Sequence, residues 1–300
     1  MTIPARVLRL PAAALVLAVL AIAATAQIMS KPKVPPGRDP GGVAVAIVDT
    51  GVNYLLPEIA ERLARDGEGE MIGLDLDDGS LVPFDRLNDD ASLEPAQRGT
   101  PLASIVLAEA PKARLVTIRL KARDFSGPGR AAAFAASGPA RIVAITGPSS
   151  PRPLDLDAFR LAAIQHKDLL FVISAGSGGK DLDAEPSYPA SFALDNVLVI
   201  AAGDASGRLL ADQNFGARTV DAIIPAVDMP ALGFEGRRMQ VSGARAALGR
   251  ATALAARISA ASPDAKGAAL KALVLTLAVP VSGEVPRTRA GVITATVQTK

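Results

Sequence analysis

The sequence has 300 residues, of which 49% are apolar and only 3% aromatic, with no cysteine and a formal net charge of +2. The absence of cysteine excludes disulfide bonds, thiolate metal sites and a cysteine nucleophile. No basic stretch is interleaved with aromatic residues, so nucleic-acid binding is not expected. With so few aromatic residues, the core has to be built from Ala, Val, Leu and Ile, which suits helices packed on a parallel sheet.

Residues 1–26 have the pattern of a secretory signal peptide. Arg6 and Arg9 make a basic start, residues 12–24 are an unbroken apolar run, and Ala24-Thr25-Ala26 has the small-x-small form of a cleavage site. The apolar run is short for a membrane-spanning helix, which needs about 20 residues. We therefore expect a periplasmic or secreted protein. An uncleaved signal, retained as an anchor, is the alternative and the one expected link to a membrane.

Residues 27–42 are rich in Pro, Gly and Lys and predict a linker before a domain at residues 43–300. Beyond the linker, apolar runs with β-branched residues alternate with stretches of helical period, which predicts an α/β fold, doubly wound, with a mostly parallel central sheet. The predicted strands are residues 43–48, 114–120, 141–145, 169–174 and 196–201. The predicted helices are residues 57–65, 130–137, 154–166, 243–261 and 263–277, with one more starting near Gly99.

An aspartate, Asp49, stands directly at the end of the first predicted strand, in the run VAIVDTG. Further motifs follow it in a fixed order, and their spacing is more specific than any one of them. They are NDD at 88–90, RGT at 98–100, APKARL at 110–115, SAGS at 174–177, YPAS at 188–191, NVLVIAA at 196–202, NFG at 214–216, SG at 242–243 and RAGVI at 289–293. Together these motifs resemble the subtilisin-like serine proteases, or subtilases, over residues 43–294.

The resemblance implies a doubly wound α/β domain with helices on both faces of a mostly parallel sheet. It also implies a peptide-binding groove edged by residues 141–150 and 172–177. In that family an Asp, a His and a Ser form the catalytic triad, and an Asn side chain helps to stabilise the oxyanion. Asp49 matches the Asp, but the His position is Arg98, the Ser position is Arg245 and the oxyanion Asn position is Ser177.

The two arginines lack the groups on which that reaction depends. Imidazole can take the proton of a serine hydroxyl because its pKa lies near neutrality, whereas the guanidinium of Arg98 stays protonated up to about pH 12. Arg245 has no hydroxyl to act as nucleophile. The sequence therefore predicts that the protein is not an enzyme but a catalytically inactive homologue. A peptide or protein partner in the former substrate groove, with a regulatory or scaffolding role, is the expected function.

Two other functions stay open. A hydrolase with a non-standard site would use Ser177, which stands three residues before Lys180, or Ser242 as its nucleophile. A structural or assembly protein would act through its outer surface, with the groove merely filled. The single histidine, His166, is expected at a helix end away from the groove.

No cofactor is expected from the sequence. Carboxylates at Asp75, Asp77 and Asp78, with the NDD run at 88–90, are of the type that binds calcium. Solvated loop acids are the more common arrangement for such residues, so calcium stays an unsupported alternative and no metal ligand is assigned.

If the fold is that of the subtilases, Asp49, Arg98 and Arg245 meet at one point. One carboxylate can accept hydrogen bonds from two guanidinium groups, so we expect an Arg–Asp–Arg cluster. One positive charge is then left over to receive a carboxylate, such as a peptide C-terminus or an acidic side chain. The alternative is that the cluster only holds the former site together.

Overall fold

Seven parallel strands form the central sheet of the computed structural model, which describes residues 31–85, 97–121, 123–280 and 287–294. The order of the strands across the sheet is β2-β3-β1-β4-β5-β6-β7, and every neighbouring pair is parallel. The strands are β1 (Ala44–Asp49), β2 (Gly73–Asp75), β3 (Arg114–Arg119), β4 (Ala140–Ile145), β5 (Leu170–Ser174), β6 (Val197–Gly203) and β7 (Ala222–Pro225). An antiparallel hairpin of β8 (Met229–Leu232) and β9 (Arg238–Val241) follows β7.

Helices cover both faces of this sheet. They are α1 (Pro57–Ala60), α2 (Gly99–Glu109), α3 (Gly127–Ser137), α4 (Asp157–Gln165), α5 (Ala244–Ala261) and α6 (Gly267–Leu275). Helices α2, α5 and α6 pack on one face, and helices α3 and α4 pack on the other. Residues Val34–Lys300 form one compact unit. The helices on both faces of its parallel sheet confirm the predicted doubly wound α/β fold.

The inner strands of the sheet are mostly apolar on both sides because helices cover both faces of the sheet. In β1, Val45 and Ile47 point into one core, whereas Ala46 and Val48 point into the other, and all four are buried. Such strands have no polar face and so show as unbroken apolar runs in the sequence. This is why the five longer strands could be predicted within one or two residues of their ends.

The helix predicted at residues 57–65 is wrong beyond Ala60. The backbone N–H of Ala64 donates to the carbonyl of Leu115 (2.8 Å), and the N–H of Leu115 donates to the carbonyl of Arg62 (2.7 Å). Residues 62–64 therefore run beside β3 instead of continuing α1. Backbone hydrogen bonds to β3 therefore determine the structure of this segment, although its sequence has a helical pattern.

Other differences lie at element ends and in short strands. The strands β2 and β7 and the β8–β9 hairpin were not predicted. The helix predicted at 154–166 begins with a 3-10 turn at Pro153–Leu156, and the helix predicted at 263–277 begins only at Gly267. The predicted signal peptide and the NDD run at 88–90 lie outside the residues that the structure describes.

Residues 34–42, part of the predicted linker, contact the domain. The carboxylate of Asp39 accepts the backbone N–H of Arg65 (2.9 Å) and pairs with the guanidinium of Arg114. The guanidinium of Arg65 donates to the carbonyl of Pro35 (2.8 Å). In the part of the chain described here, no helix is both long and apolar enough to cross a membrane.

Candidate functional site

The candidate site begins at Asp49, the last residue of β1. Because all seven strands are parallel, their carboxyl ends meet at one edge of the sheet, where ligand sites form in such folds. Asp49 is 2% exposed, and its Oδ1 accepts the backbone N–H of Thr50 (2.8 Å). Its Oδ2 accepts no hydrogen bond from any described residue. The site is thus centred on a buried carboxylate with one oxygen that lacks a donor.

Thr50 brings Arg98 next to this carboxylate. Its hydroxyl accepts the backbone N–H groups of Arg98 (3.0 Å) and Gly99 (3.1 Å), which start helix α2. Gly99 is required at this point because a Cβ there would lie 1.9 Å from the carbonyl oxygen of Gly51. The side chain of Arg98 therefore starts from a backbone that is fixed against the end of β1.

Arg245 approaches the same carboxylate from the other side. It is the second residue of the long helix α5, which follows Gly243 at a φ of 82°. A positive φ is easy for glycine and strained for other residues, so Gly243 allows the chain to turn from β9 into the helix. Helix α5 then packs on the sheet through buried residues such as Ala246 and Leu248.

The three side chains form the expected Arg–Asp–Arg cluster. Nε of Arg98 lies 3.8 Å from Oδ1 of Asp49, and Nε of Arg245 lies 3.7 Å from Oδ2. The arginine side chains are 26% and 27% exposed, whereas that of Asp49 is 1% exposed. These distances are those of ion pairs and are too long for direct hydrogen bonds. The carboxylate is thus shared between two cations that both reach solvent.

Burial lowers the pKa of Arg98 below its ordinary value. The negative charge of Asp49 opposes this shift, the positive charge of Arg245 adds to it, and Asp85 opposes it as well. Guanidinium groups have such a high pKa that Arg98 still carries its charge at neutral pH. Arg98 can therefore pair with an anion but cannot take a proton from a hydroxyl.

A second buried acid, Asp85, lies beneath the cluster. Its carboxylate accepts the hydroxyl of Thr50 (2.7 Å) and both the hydroxyl (3.2 Å) and the backbone N–H (3.3 Å) of Thr100. Burial raises the pKa of Asp85 to about 7, and the negative charge of Asp49 contributes, although the threonine hydrogen bonds act in the opposite direction. Asp85 thus fixes Thr50, and through it the backbone of Arg98.

A cleft of about 270 Å³ opens beside the cluster. Arg98, Arg245 and Ser177 line it together with apolar side chains that include Ile145 and Leu248. Residues 145–149 and 173–177 form part of its wall, and these belong to the two segments that the resemblance places along a peptide groove. The cleft therefore combines cationic groups with an apolar wall.

The two alternative serines differ in position. Ser177 is exposed in a glycine-rich loop and lines the cleft, whereas Ser242 lies on no part of it. The hydroxyl of Ser242 instead accepts the backbone N–H of Asp228 (2.8 Å). Lys180 pairs with Glu185 at 3.7 Å, and within the described residues it makes no hydrogen bond to Ser177. A Ser177–Lys180 pair is therefore not formed in this structure.

His166 follows helix α4 and precedes β5, which places it at the amino ends of the strands. Asp49 lies at the carboxyl ends, so the histidine is at the opposite edge of the sheet. The prediction that His166 lies away from the groove is confirmed.

Two of the three carboxylates considered for calcium, Asp75 and Asp77, are paired with cations of the protein itself. The buried guanidinium of Arg119 lies 3.3 Å from Asp75 and 3.1 Å from Asp77, and the ammonium of Lys121 lies 3.4 Å from Asp77. Although burial raises the pKa of Asp77, the hydrogen bond and charge of Arg119 outweigh it and hold that pKa below its ordinary value. Within the described residues, no group of three or more His, Cys, Asp or Glu side chains is placed to hold a metal ion.

Sequence reasoning missed the residues that support the cluster. Thr50 stands inside the motif around Asp49, and its side chain could have been considered on that ground. Asp85 stands in a loop with no periodic pattern, and nothing in the sequence indicates that it is buried. Asn214 was noted only as part of a motif, yet it fixes the Ser177 loop by donating to the carbonyl of Ala175 (2.9 Å) and accepting the backbone N–H of Lys180 (3.0 Å).

Comparison with known sequences places this chain in a family. Residues 41–294 match the sequence model of the Subtilase family. A thermophilic serine proteinase from Bacillus sp. (strain AK1) is 26% identical over 233 residues, which are 73% of this chain and 52% of that protein. The chain thus spans about half the length of this curated relative.

Several solved structures of similar fold are proteases. A lanthipeptide protease superposes with a TM-score of 0.70 at 17% identity, covering 85% of this chain and 86% of its own. A cold-adapted subtilisin-like serine proteinase gives 0.68 at 19% identity, with coverage of 88% and 92%. The epidermin leader peptide processing serine protease from Staphylococcus aureus gives 0.67 at 16% identity, with coverage of 86% and 74%. At these identities the likeness concerns the fold alone.

These comparisons correct the prediction that the chain is not an enzyme. The matched family is that of the subtilases, and the curated relative is a serine proteinase, so the comparisons contradict the prediction that the chain is not an enzyme. The replacements at Arg98 and Arg245 concern two positions only. They support a narrower conclusion, that a hydrolytic reaction of this chain needs a nucleophile and a base from other residues.

Proposed function

This chain belongs to the Subtilase family, and from that premise we propose that it binds a peptide in the cleft beside Asp49. A carboxylate of that peptide is received by Arg98 and Arg245. Because peptide binding is a step shared by a peptidase and a peptide receptor, the proposal does not depend on turnover. The pattern of residues 1–26 supports a further proposal, that the protein acts in the periplasm or after secretion.

The observation that carries the proposal is the charge of the cluster. Two guanidinium groups share the single carboxylate of Asp49 through contacts of 3.7 and 3.8 Å. Arg245 donates no hydrogen bond to any described residue, so its terminal N–H groups are available for a ligand. A guanidinium and a carboxylate can pair through two parallel hydrogen bonds, which makes a carboxylate the best-matched anion.

The cleft favours a short apolar segment next to that carboxylate. Its volume of about 270 Å³ is slightly below the range of about 300–1,000 Å³ typical of drug-sized ligand sites. Ile145, Ile173 and Leu248 contribute apolar surface to it. One apolar side chain with an adjacent terminal carboxylate is the ligand of matching size and chemistry.

Replacement of Arg245 by glutamine tests the role of its charge. We expect Arg245→Gln to weaken the binding of a fluorescein-labelled Gly-Ala-Ala-Leu peptide with a free C-terminus about tenfold or more, because a charge-assisted hydrogen bond is lost. Fluorescence anisotropy measures the dissociation constant. Arg237→Gln, at a side chain that is 86% exposed, is the matched control and should bind like the wild type. Equal affinity in the two variants contradicts the proposal.

A second candidate function, hydrolysis with Ser177 as nucleophile, is supported by the position of Ser177 in the same cleft. A fluorophosphonate probe, followed by mass spectrometry of the labelled peptide, tests it directly. Labelling of Ser177 that disappears in Ser177→Ala, together with cleavage of a general peptidase substrate, supports this function. Peptide binding without label on Ser177 excludes that serine as the nucleophile and leaves the binding proposal intact.

A further inference from the structure

A second cleft, of about 760 Å³, lies at the opposite edge of the sheet from Asp49. We call it the basal cleft and define it by Ala44 at the start of β1, Arg114 at the start of β3, Arg141 at the start of β4 and Arg257 on helix α5. Its volume lies within the range of about 300–1,000 Å³ that is typical of small-molecule sites. The cluster of Asp49, Arg98 and Arg245 contributes nothing to it.

The basal cleft carries an excess of positive charge. Lys112, Arg114, Arg141 and Arg257 line it, and Glu109 is the acidic residue among its lining side chains. The carboxylate of Glu109 is already paired with Arg250 at 2.7 Å, and Arg114 is paired with Asp39. In the described parts of the chain, Lys112, Arg141 and Arg257 have no carboxylate partner.

Helix ends explain only part of this charge. Helices α2 and α5 both end near the basal cleft, and the partial negative charge of a helix C-terminus favours nearby cations. Arg141 fits this explanation, because it donates to the carbonyl of Pro263 (2.6 Å) just beyond α5. The guanidinium of Arg257 makes no hydrogen bond or ion pair with a described residue, so it stays available to a ligand.

A buried hydroxyl lies behind the wall of the basal cleft. Ser259 lines the basal cleft and is only 2% exposed. Neither its Oγ nor Nε of Arg257 has a hydrogen-bond partner among the described residues, although both atoms are buried. Buried polar atoms nearly always have a partner in native proteins, and each exception calls for an explanation. Both atoms are closed off from the cleft in this structure, so they would meet a polar ligand group only after their side chains rotate, and direct contacts fall to the terminal nitrogens of Arg257 and to Arg141.

We propose that the basal cleft binds a small amphipathic organic anion. The anionic head, a carboxylate or a phosphate monoester, pairs with Arg257 and Arg141. The apolar body lies against the Ala, Pro and Val side chains of the wall, among them Val43, Ala110 and Ala256. The proposal is independent of peptide binding at Asp49, which lies at the other edge of the sheet.

The full chain can be tested with three probes: decanoate, decyl phosphate and uncharged decanol. Isothermal titration calorimetry measures the dissociation constant of each. We expect at least one of the two anions to bind about tenfold or more tightly than decanol, and the comparison between them identifies the preferred head. Arg257→Gln should weaken anion binding about tenfold, because it removes a charge-assisted partner. Arg141→Gln is a second variant with a smaller expected loss, in case Arg257→Gln does not fold as judged by circular dichroism.

Two controls locate the binding. Arg237→Gln, on the exposed hairpin, should leave the affinity unchanged. If Arg245→Gln weakens anion binding while Arg257→Gln does not, the anion binds beside Asp49 and the proposal is overturned. Equal affinity for decanol and both anions, or no binding of either anion, overturns it as well.

Discussion

Asp49→Asn should lower the free energy of unfolding by about 2–3 kcal/mol. The substitution keeps the size of the side chain and an oxygen to accept from Thr50, but it leaves Arg98 and Arg245 without their shared anion. Removing one partner of a fully buried ion pair costs about 3–5 kcal/mol. We expect less here because both arginine side chains are about a quarter exposed to solvent, which screens their charges.

Urea unfolding followed by circular dichroism measures this effect. Glu185→Gln is a suitable control, since Glu185 pairs with Lys180 at the same distance of 3.7 Å but both side chains are more than half exposed. That variant should lose less than about 1 kcal/mol. The double variant Asp49→Asn/Arg245→Gln should recover part of the loss, because Arg245 no longer carries a charge that has lost its carboxylate. If Asp49→Asn costs no more than Glu185→Gln, the cluster does not stabilise the fold.

Asp85→Asn should remove a pH dependence of stability between about pH 4 and pH 7. The pKa of Asp85 is raised to about 7 in the folded protein by burial and by the charge of Asp49, whereas an unfolded Asp has a pKa of about 3.9. Between these values the folded state holds a proton that the unfolded state has lost. Stability from this group is therefore fully present at low pH and is lost as the pH rises to about 7.

The size of this effect is set by the pKa shift. One pKa unit corresponds to about 1.4 kcal/mol, so the whole window amounts to about 4 kcal/mol, of which about 2 kcal/mol falls between pH 5.5 and pH 7. The difference in unfolding free energy between wild type and Asp85→Asn, measured by urea unfolding at several pH values, cancels the groups that are not coupled to Asp85. A difference that stays constant from pH 5 to pH 8 contradicts the assignment.

The sequence was most informative where a strand is buried on both faces. β1, β5 and β6 are largely apolar runs, β3 and β4 are apolar apart from Arg and Thr residues, and the alternation of these strands with helical stretches predicted the fold. Strand β2 has only three residues, Gly73–Asp75, and β7 only four, Ala222–Pro225. Such short strands exist because a neighbouring strand offers free backbone groups, and this information is absent from the local sequence.

The candidate site could likewise be predicted only in part from the sequence. Asp49, Arg98 and Arg245 could be predicted to meet because they occupy three positions of a family pattern, and the structure places both arginines within 4 Å of the carboxylate. The support that Asp85 gives to Thr50 beneath the cluster could not be predicted, since these two residues lie 35 positions apart in sequence. Likewise, nothing in the local sequence around Arg257 distinguishes it from a solvated helix residue, and only the fold places it beside Arg141.

The most direct test of the carboxylate site compares one peptide in two forms. Fluorescein-labelled Gly-Ala-Ala-Leu with a free C-terminal carboxylate and the same peptide with a C-terminal amide differ only in the group that Arg98 and Arg245 are proposed to receive. Titration of each peptide with wild-type protein, followed by fluorescence anisotropy, should give a dissociation constant at least tenfold lower for the carboxylate form. Equal affinity for the two forms, or tighter binding of the amide, would contradict the proposed carboxylate site.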